Sequence, residues 1–192
     1  GMSATPPVML PLKHKLERAG FNVVIADIGW ARDDIDVLAE RLDGFLKDRE
    51  KILNQRYGLT LADIRDRTIL FGHSMGGLII VAAQRHDRQL MKFQVVSAGT
   101  PFRGAPSAYI AFWRWPAYEM RPNAPWLQCL AKDMKNHPRR LLQIRAKDDE
   151  TVPAGSSVTK RYPYYVAPFV GHIALVFELD PQVLKSLNHP KT

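Results

Sequence analysis

The chain has 192 residues, and 46% of them are hydrophobic, which is enough to build the core of one compact domain. Its 27 basic and 19 acidic side chains give a formal net charge of +8. The basic residues are scattered without the aromatic pattern of nucleic-acid readers, so we expect no nucleic-acid partner, although a basic surface could attract anionic lipid or acidic substrates. The single cysteine, Cys129, excludes an internal disulfide and is expected to be a small core residue.

The sequence also bears on cofactors and location. No His/Cys cluster has metal-ligand spacing and no Gly-rich phosphate loop is present, so no cofactor is expected. No apolar run is long enough to span a membrane, and no signal peptide precedes the first helix. Gly1 before Met2 resembles a residue left by tag removal. If Met2 is the authentic start, the sequence predicts a cytoplasmic protein.

Helices and strands alternate over roughly the first half of the chain. Apolar residues at helical spacing predict a first helix that ends at Gly20, and residues 21–28 are predicted to form a strand. Asp33 or Asp34 can cap a long helix whose apolar stripe consists of Ile35, Leu38, Leu42, Phe45 and Leu46. A strand at 68–71, a helix at 77–83 and a strand at 93–97 follow. This order predicts an α/β fold, a three-layer αβα sandwich with a mostly parallel sheet covered on both faces.

The alternation breaks at residues 105–138. Aromatic side chains crowd a short part of this segment, namely Tyr109, Phe112, Trp113, Trp115 and Tyr118, and further apolar residues indicate a second helix, namely Trp126, Leu127 and Leu130. Strands at 141–146 and 162–170 and a helix at about 181–187 are predicted to close the chain. We therefore expect a single domain over residues 1–192 with a helical insertion at about 105–138.

A sharp strand-to-helix turn is predicted around Ser74. Residues 72–76 have the pattern G-x-S-x-G and lie between the predicted strand at 68–71 and the predicted helix at 77–83. In such a nucleophile elbow the serine hydroxyl stands clear of the sheet edge, and glycines let the flanking backbone segments pass closely. The pentapeptide alone is weak evidence, but the strand before it and the helix after it supply the context that the motif requires.

An acid and a base follow the serine in the chain. A carboxylate-rich loop with Asp148 and Asp149 comes after the strand at 141–146, and His172 comes after the strand at 162–170. Ligand chemistry in open α/β sheets collects at the carboxyl ends of strands, so these groups are predicted to meet near Ser74. Of the six histidines, only His172 follows a strand and a glycine, whereas His73 is expected to point away from the serine. Either Asp148 or Asp149 could serve as the acid.

From about residue 10 to residue 187 the sequence resembles an α/β hydrolase, and within that superfamily it is most similar to bacterial lipases and lipase-like esterases. The motifs that carry the resemblance are G-H-S-M-G-G at 72–77, G-T-P-x-x-G at 99–104, D-x-x-V-P at 149–153 and G-H at 171–172. The resemblance implies a catalytic triad of Ser74, His172 and Asp149, because the D-x-x-V-P spacing selects Asp149 over Asp148. It also implies that the backbone N–H of Met75 is one donor of the oxyanion hole.

The chain departs from this pattern at its N-terminus. The second oxyanion donor of the superfamily lies after an earlier central strand, and this chain has no equivalent of that strand. Met2 or Ser3 could supply the donor from a shortened loop, a longer natural chain could have been trimmed, or hydrolysis could be weak. The missing strand would lie between the strands at 22–27 and 68–71, so these two are expected to pair directly in a small sheet. A strand-exchanged dimer is the alternative, which leaves monomer and dimer both open.

The insertion at 105–138 resembles the lid of lipases. Its aromatic side chains would suit the hydrophobic acyl group of a small-molecule ester, or they could be packed on the body as ordinary core. Three functions are consistent with the sequence. The first is a serine hydrolase of carboxylic esters that forms an acyl-enzyme. The second is an acyltransferase or thioesterase with the same triad, and the third is a non-catalytic binding protein of this fold.

Overall fold

The structure, a computed structural model, describes residues 6–29, 33–110 and 115–186. Four parallel strands form one sheet in the order in which they occur along the chain. They are β1 (Ile69–His73), β2 (Gln94–Ala98), β3 (Leu141–Asp148) and β4 (Tyr164–Val170). Because the strands are parallel, their carboxyl ends lie at the same edge of the sheet, where the loops after β1, β3 and β4 meet.

Helices connect and flank these strands. The larger ones are α1 (Pro6–Arg18), α2 (Ile35–Tyr57), α3 (Leu61–Arg67), α4 (Met75–His86) and α6 (Pro125–Asn136). Short helices are α5 (Trp115–Glu119), α7 (Ala154–Ser157), α8 (Ala174–Phe177) and α9 (Pro181–Lys185), and single 3₁₀ turns occupy Arg88–Lys92 and Pro106–Tyr109. Among the helices in the described ranges, none combines the length and the hydropathy that a membrane-spanning segment requires.

Two apolar clusters cover the two faces of the sheet. One is built chiefly from α2, α4 and α6, with side chains such as Leu38, Leu78 and Leu130 that are almost fully buried. The other joins α1, α8 and α9 to strand residues of the opposite face, such as Ile144. The predicted three-layer αβα arrangement around a parallel sheet is therefore confirmed.

Residues 21–28 do not form the strand that the sequence predicts. Their apolar side chains do alternate, since Phe21 and Val23 pack against the cluster with α1 while Ala26 and Ile28 pack against the cluster with α4. However, β1 is an edge strand whose hydrogen-bonded neighbour is β2, so the predicted direct pairing with β1 is wrong. A strand needs a hydrogen-bonded neighbour as well as an alternating pattern, and this segment satisfies only the pattern.

The N-terminus of α2 is capped by a distant side chain. Asp34 occupies the N-cap position, but its side chain makes no capping hydrogen bond. Instead the backbone N–H of Ile35 donates to Glu119 Oε2 at 2.8 Å, which ties α5 to α2. A cap supplied from 84 residues further along the chain is invisible to rules that examine only local sequence.

The segment 105–138 packs partly into the main core. Met120, Leu127 and Leu130 are buried in the cluster with α2 and α4, while Tyr109 and Tyr118 are 53% and 43% exposed. Cys129 is exposed, so the expectation of a core cysteine is wrong: α6 directs Leu127 and Leu130 inward, and position 129 falls on its outer face. Phe112 and Trp113, on which the acyl-pocket hypothesis depends in part, lie outside the described residues.

Candidate active site

Ser74 lies in a strained turn between β1 and α4. Its backbone has φ 55° and ψ −126°, a conformation that costs a non-glycine residue about 1–3 kcal/mol. Hydrogen bonds hold it there: the N–H of Ser74 donates to the carbonyl of Ala98 at 2.8 Å, and the N–H of Gly77 donates to the carbonyl of Ser74 at 3.1 Å. The surrounding sheet and helix thus fix a conformation that an isolated serine would avoid.

Two glycines of the motif are required by close approach. A Cβ atom on Gly72 would lie 2.5 Å from the backbone nitrogen of Gly77, and a Cβ on Gly77 would lie 2.0 Å from Thr100 Oγ1. Both separations are far below van der Waals contact. The glycines therefore allow the first turn of α4 to pack directly against β1 and against the loop after β2.

The structure brings Asp149 to His172. Asp149 Oδ2 lies 2.8 Å from His172 Nδ1, and the side chain of Asp149 is only 2% exposed. The other carboxylate oxygen, Oδ1, accepts the backbone N–H groups of Thr151 at 2.9 Å and Val152 at 2.7 Å. Asp148, the last residue of β3, has an exposed side chain and contributes its backbone carbonyl to the N–H of Gly171.

These contacts determine the protonation of the pair. Burial opposes ionisation of Asp149, but the hydrogen bonds from His172, Val152 and Thr151 outweigh it and lower the pKa of the carboxyl group. An ionised carboxylate can only accept, so His172 Nδ1 carries the hydrogen that it donates to Asp149. In a neutral imidazole this leaves Nε2 without a proton, as a base.

His172 lies beside the elbow. A Cβ on Gly99 would lie 2.9 Å from His172 Cε1, so the imidazole ring packs directly against Gly99. The residue before Gly99, Ala98, accepts the backbone hydrogen bond from Ser74. His172 Nε2 is buried and makes no hydrogen bond within the part of the chain that the structure describes. This ring nitrogen is therefore kept from bulk water.

Met75 is the first residue of α4. Backbone N–H groups in the first turn of a helix lack an acceptor within the helix, and the helix dipole adds positive potential at this end. The N–H of Met75 is thus available to an anion next to Ser74. Met2 and Ser3, the sequence-based candidates for a second donor, lie outside the described residues.

Sequence reasoning assigned no role to two residues that contact His172. His73 Nε2 lies 3.0 Å from the backbone carbonyl of His172, and the rings of the two histidines are 4.6 Å apart. The carboxylate of Glu150 accepts the backbone N–H of His172, with Oε2 at 3.1 Å. The only sequence signal for either residue was its position next to Ser74 or Asp149.

The side chains of the described residues do not converge on a metal site. Across residues 6–29, 33–110 and 115–186, no group of three or more His, Cys, Asp or Glu side chains is arranged to hold one. A metal site requires several converging ligands, whereas the contact near Ser74 joins one imidazole and one carboxylate.

The sequence model of a hydrolase family described as serine aminopeptidase, S33, matches residues 3–161 of the chain. The protein belongs to this α/β-hydrolase family. The match covers the elbow, the G-T-P segment and the acid loop, and it confirms the superfamily that the sequence motifs indicated. A search among curated proteins finds no similar sequence.

Solved structures of other α/β hydrolases are similar in fold. The mature form of the Bacillus licheniformis lipase BlEst2 has a TM-score of 0.70 at 14% identity, covering 93% of this chain and 84% of the lipase. A meta-cleavage product hydrolase from Pseudomonas fluorescens has a TM-score of 0.52 at 14% identity, covering 81% and 71%. The peroxisomal alpha-beta-hydrolase Lpx1 of Saccharomyces cerevisiae has a TM-score of 0.50 at 13% identity, covering 94% and 72%. At these identities the similarity establishes the fold of this hydrolase.

Proposed function

We propose that this hydrolase cleaves carboxylic esters through a triad of Ser74, His172 and Asp149. The observation that carries the proposal is the 2.8 Å contact between Asp149 and His172, beside the strained elbow of Ser74, with the opposite ring nitrogen buried and without a hydrogen bond in the described residues. Local sequence alone could not produce this contact, because Asp149 and His172 are 23 residues apart and belong to loops after different strands. Such an arrangement suits nucleophilic catalysis with a general base.

The reaction would proceed in two halves. His172 Nε2 takes the proton of Ser74 Oγ as the oxygen attacks the ester carbonyl, and it then gives that proton to the departing alcohol, which leaves an acyl-serine. Water next loses a proton to the same nitrogen and attacks the acyl-serine, so the carboxylic acid departs and Ser74 recovers its hydrogen. Asp149 stabilises the imidazolium that forms in each half without itself becoming protonated.

The developing oxyanion would be bound by the backbone N–H of Met75 at the start of α4. Loss of one oxyanion donor typically costs about 100- to 1000-fold in rate. If Met75 supplies the only donor, turnover will be correspondingly slow, and detection of activity will need a reactive ester. The first assay should therefore use a reactive p-nitrophenyl ester.

Amide hydrolysis is the second candidate, because the family model is described as a serine aminopeptidase. The same triad can attack an amide, but the departing amine must be protonated more fully than an alcohol. Lipase structures with the same fold support the ester, and an oxyanion site with Met75 as its single donor would favour the more reactive acyl group. We therefore place esters before amides.

The test measures hydrolysis of p-nitrophenyl esters from acetate to long chains, with amino-acid p-nitroanilides in parallel. We expect Ser74→Ala to reduce ester turnover to the background rate and Asp149→Asn to lower kcat by about 10⁴-fold, because the asparagine holds the wrong imidazole tautomer. Asp148→Asn is the matched control, since this exposed neighbour should change kcat less than twofold.

A fluorophosphonate probe distinguishes the remaining functions. Labelling of Ser74 without ester or amide turnover would favour an acyltransferase or thioesterase. Absence of both labelling and turnover would favour a binding protein and overturn the proposal. Equal activity of the Asp148→Asn and Asp149→Asn variants would contradict the assignment of the acid.

A further inference from the structure

Both polar backbone groups of His172 are held by side chains. The carbonyl of His172 accepts a hydrogen bond from His73 Nε2 at 3.0 Å, and its N–H donates to the carboxylate of Glu150, at 3.1 Å to Oε2 and 3.3 Å to Oε1. His73 directly precedes Ser74 and Glu150 directly follows Asp149. The backbone of the proposed base is thus tied to the chain neighbours of the proposed nucleophile and acid.

We propose that His73 and Glu150 are positioning residues that clamp the backbone of His172, so that its imidazole reaches Ser74 and Asp149 together. The inference rests on the triad proposed above and adds two residues to the machinery of that site. Each acts through His172 and not on the substrate, and the two act on opposite sides of one residue. We call the pair the His172 clamp.

Apart from the hydrogen bond from the N–H of Gly171 to the carbonyl of Asp148, the elements on either side of His172 are exposed or short. His172 follows β4, an edge strand with mostly exposed residues, and precedes α8, which has only four residues. Gly171, immediately before it, has φ 106°, a conformation that restrains the chain little when the residue is glycine. Since a misplacement of about 1 Å can cost about 100-fold in rate, a base on such a segment needs fixed backbone contacts.

The state of His73 suits this role. Its side chain is buried, and burial together with the neighbouring His172 lowers the pKa of His73 to about 3. The ring therefore stays neutral at working pH with its one hydrogen on Nε2, because the carbonyl of His172 can only accept. Its Nδ1 is buried and makes no hydrogen bond within the described ranges, so the contact to His172 is the polar contact that defines its orientation.

Neutrality also matters during the reaction. The two imidazole rings lie 4.6 Å apart with their planes tilted by 43°. When His172 becomes an imidazolium, a charged neighbour at this distance would oppose it, whereas neutral His73 does not. Glu150 holds the backbone N–H of His172 through its carboxylate, whose negative charge would not repel the imidazolium. The clamp thus fixes the backbone without adding a repulsive charge.

The experiment compares variants that remove a clamp contact with variants that keep it. Glu150→Ala and His73→Phe remove the acceptor and the donor, while Glu150→Gln and His73→Gln retain an amide oxygen or an N–H at a similar place. We expect the first two to lower kcat on the best p-nitrophenyl ester by about 10- to 100-fold with KM changed less than twofold. The two glutamine variants should recover most of that loss. His137→Phe, at an exposed histidine, is the control for a histidine replacement.

A spectroscopic readout separates positioning from general stability. The hydrogen on His172 Nδ1, bound to Asp149, should give a downfield proton resonance that is present in the wild type and shifted or lost in Glu150→Ala and His73→Phe. The resonance should be restored in the glutamine variants. Glu150 is an exposed residue, so Glu150→Ala is expected to fold and decides the question even if His73→Phe does not.

Two outcomes have different meanings. If the wild type hydrolyses esters and labels at Ser74, but folded Glu150→Ala and His73→Phe keep their kcat within threefold and their downfield resonance, the clamp is refuted while the triad stands. If the wild type neither labels nor turns over any substrate, the proposed function fails. The resonance then still tests whether the clamp orients His172 against Asp149.

Discussion

Substitution of Gly77 by alanine tests how tightly α4 is fitted to the sheet beneath Ser74. The added Cβ would lie 2.0 Å from Thr100 Oγ1 and 2.9 Å from both Cβ and Cγ2 of Thr100. Thr100 is fully buried, so its side chain cannot turn outward to relieve the contact. Either the first turn of α4 must move away from β2, or Thr100 must leave its rotamer, and both changes disturb the elbow.

The expected net loss in the free energy of unfolding is about 2 kcal/mol. Overpacking of a well-packed site costs about 1–3 kcal/mol, and the upper end applies because the nearest contact is so short. Alanine in a helix is about 1 kcal/mol more favourable than glycine, which offsets part of that cost. Gly44 in α2 is the matched control, since a Cβ there meets nothing within 4 Å and Gly44→Ala should stabilise by about 1 kcal/mol.

Urea unfolding of the two variants measures the difference directly. We expect their midpoints to move in opposite directions, with a separation equivalent to about 3 kcal/mol. Thr100→Ala removes two of the three atoms in contact, so Gly77→Ala should cost less in that background than in the wild type. The argument from close packing is refuted if Gly77→Ala is as stable as Gly44→Ala. It is also refuted if the effects of Gly77→Ala and Thr100→Ala are additive.

Three further predictions concern ionisable groups that are buried or half-buried. Glu50→Gln should lower the free energy of unfolding by about 3–5 kcal/mol, because it leaves the guanidinium of Arg65 buried without its carboxylate. Replacing Glu50 by Leu and Arg65 by Met together should cost less. Equal urea midpoints of the single and the double variant would contradict this prediction. Burial raises the pKa of Glu119 to about 6, so above pH 6 the folded protein carries a carboxylate that is less stable there than in the unfolded chain. Glu119→Gln should therefore stabilise by about 1 kcal/mol at pH 7, allowing for partial exposure, and not at pH 4.5. Burial lowers the pKa of His73 to about 3, so between pH 6.5 and 3 this side chain binds a proton more tightly in the unfolded chain than in the folded protein. The free energy of unfolding should be intact above pH 6.5 and fall by about 2 kcal/mol by pH 5. His73→Gln should reduce this pH dependence in urea titrations.

Local patterns predicted most of the elements but not their pairing. The elbow at Ser74, the strand before it, the helix after it and the core stripe of α2 follow from periodicity and from glycine positions, which are properties of neighbouring residues. Residues 21–28 have the alternation of a strand and pack on both clusters, yet β1 is an edge strand paired with β2. Pairing depends on where a second backbone lies, and the pattern of one segment carries no such information.

Helix caps and the outer faces of helices show the same limit of prediction from local sequence. Thr60 caps α3 in a capping box with Asp63, a local contact at a spacing of three residues. Asp34 occupies the equivalent place before α2, but Glu119 supplies the hydrogen bond from another part of the fold. Cys129 lies in an apolar stretch, and only the orientation of α6 decides that its side chain is outside.

By itself the order of residues determined the chemical types near the elbow: a hydroxyl after a buried strand, carboxylates after another and an imidazole after a third, because strand ends and glycine turns are encoded locally. The family resemblance selected Asp149 over Asp148 from its spacing, but only the folded chain showed that the Asp149 carboxylate contacts His172 and that His73 and Glu150 bind the backbone of the same residue. Which of two adjacent side chains faces inward depends on strand twist and on the loop that follows. Those are set by packing between segments that are far apart in sequence.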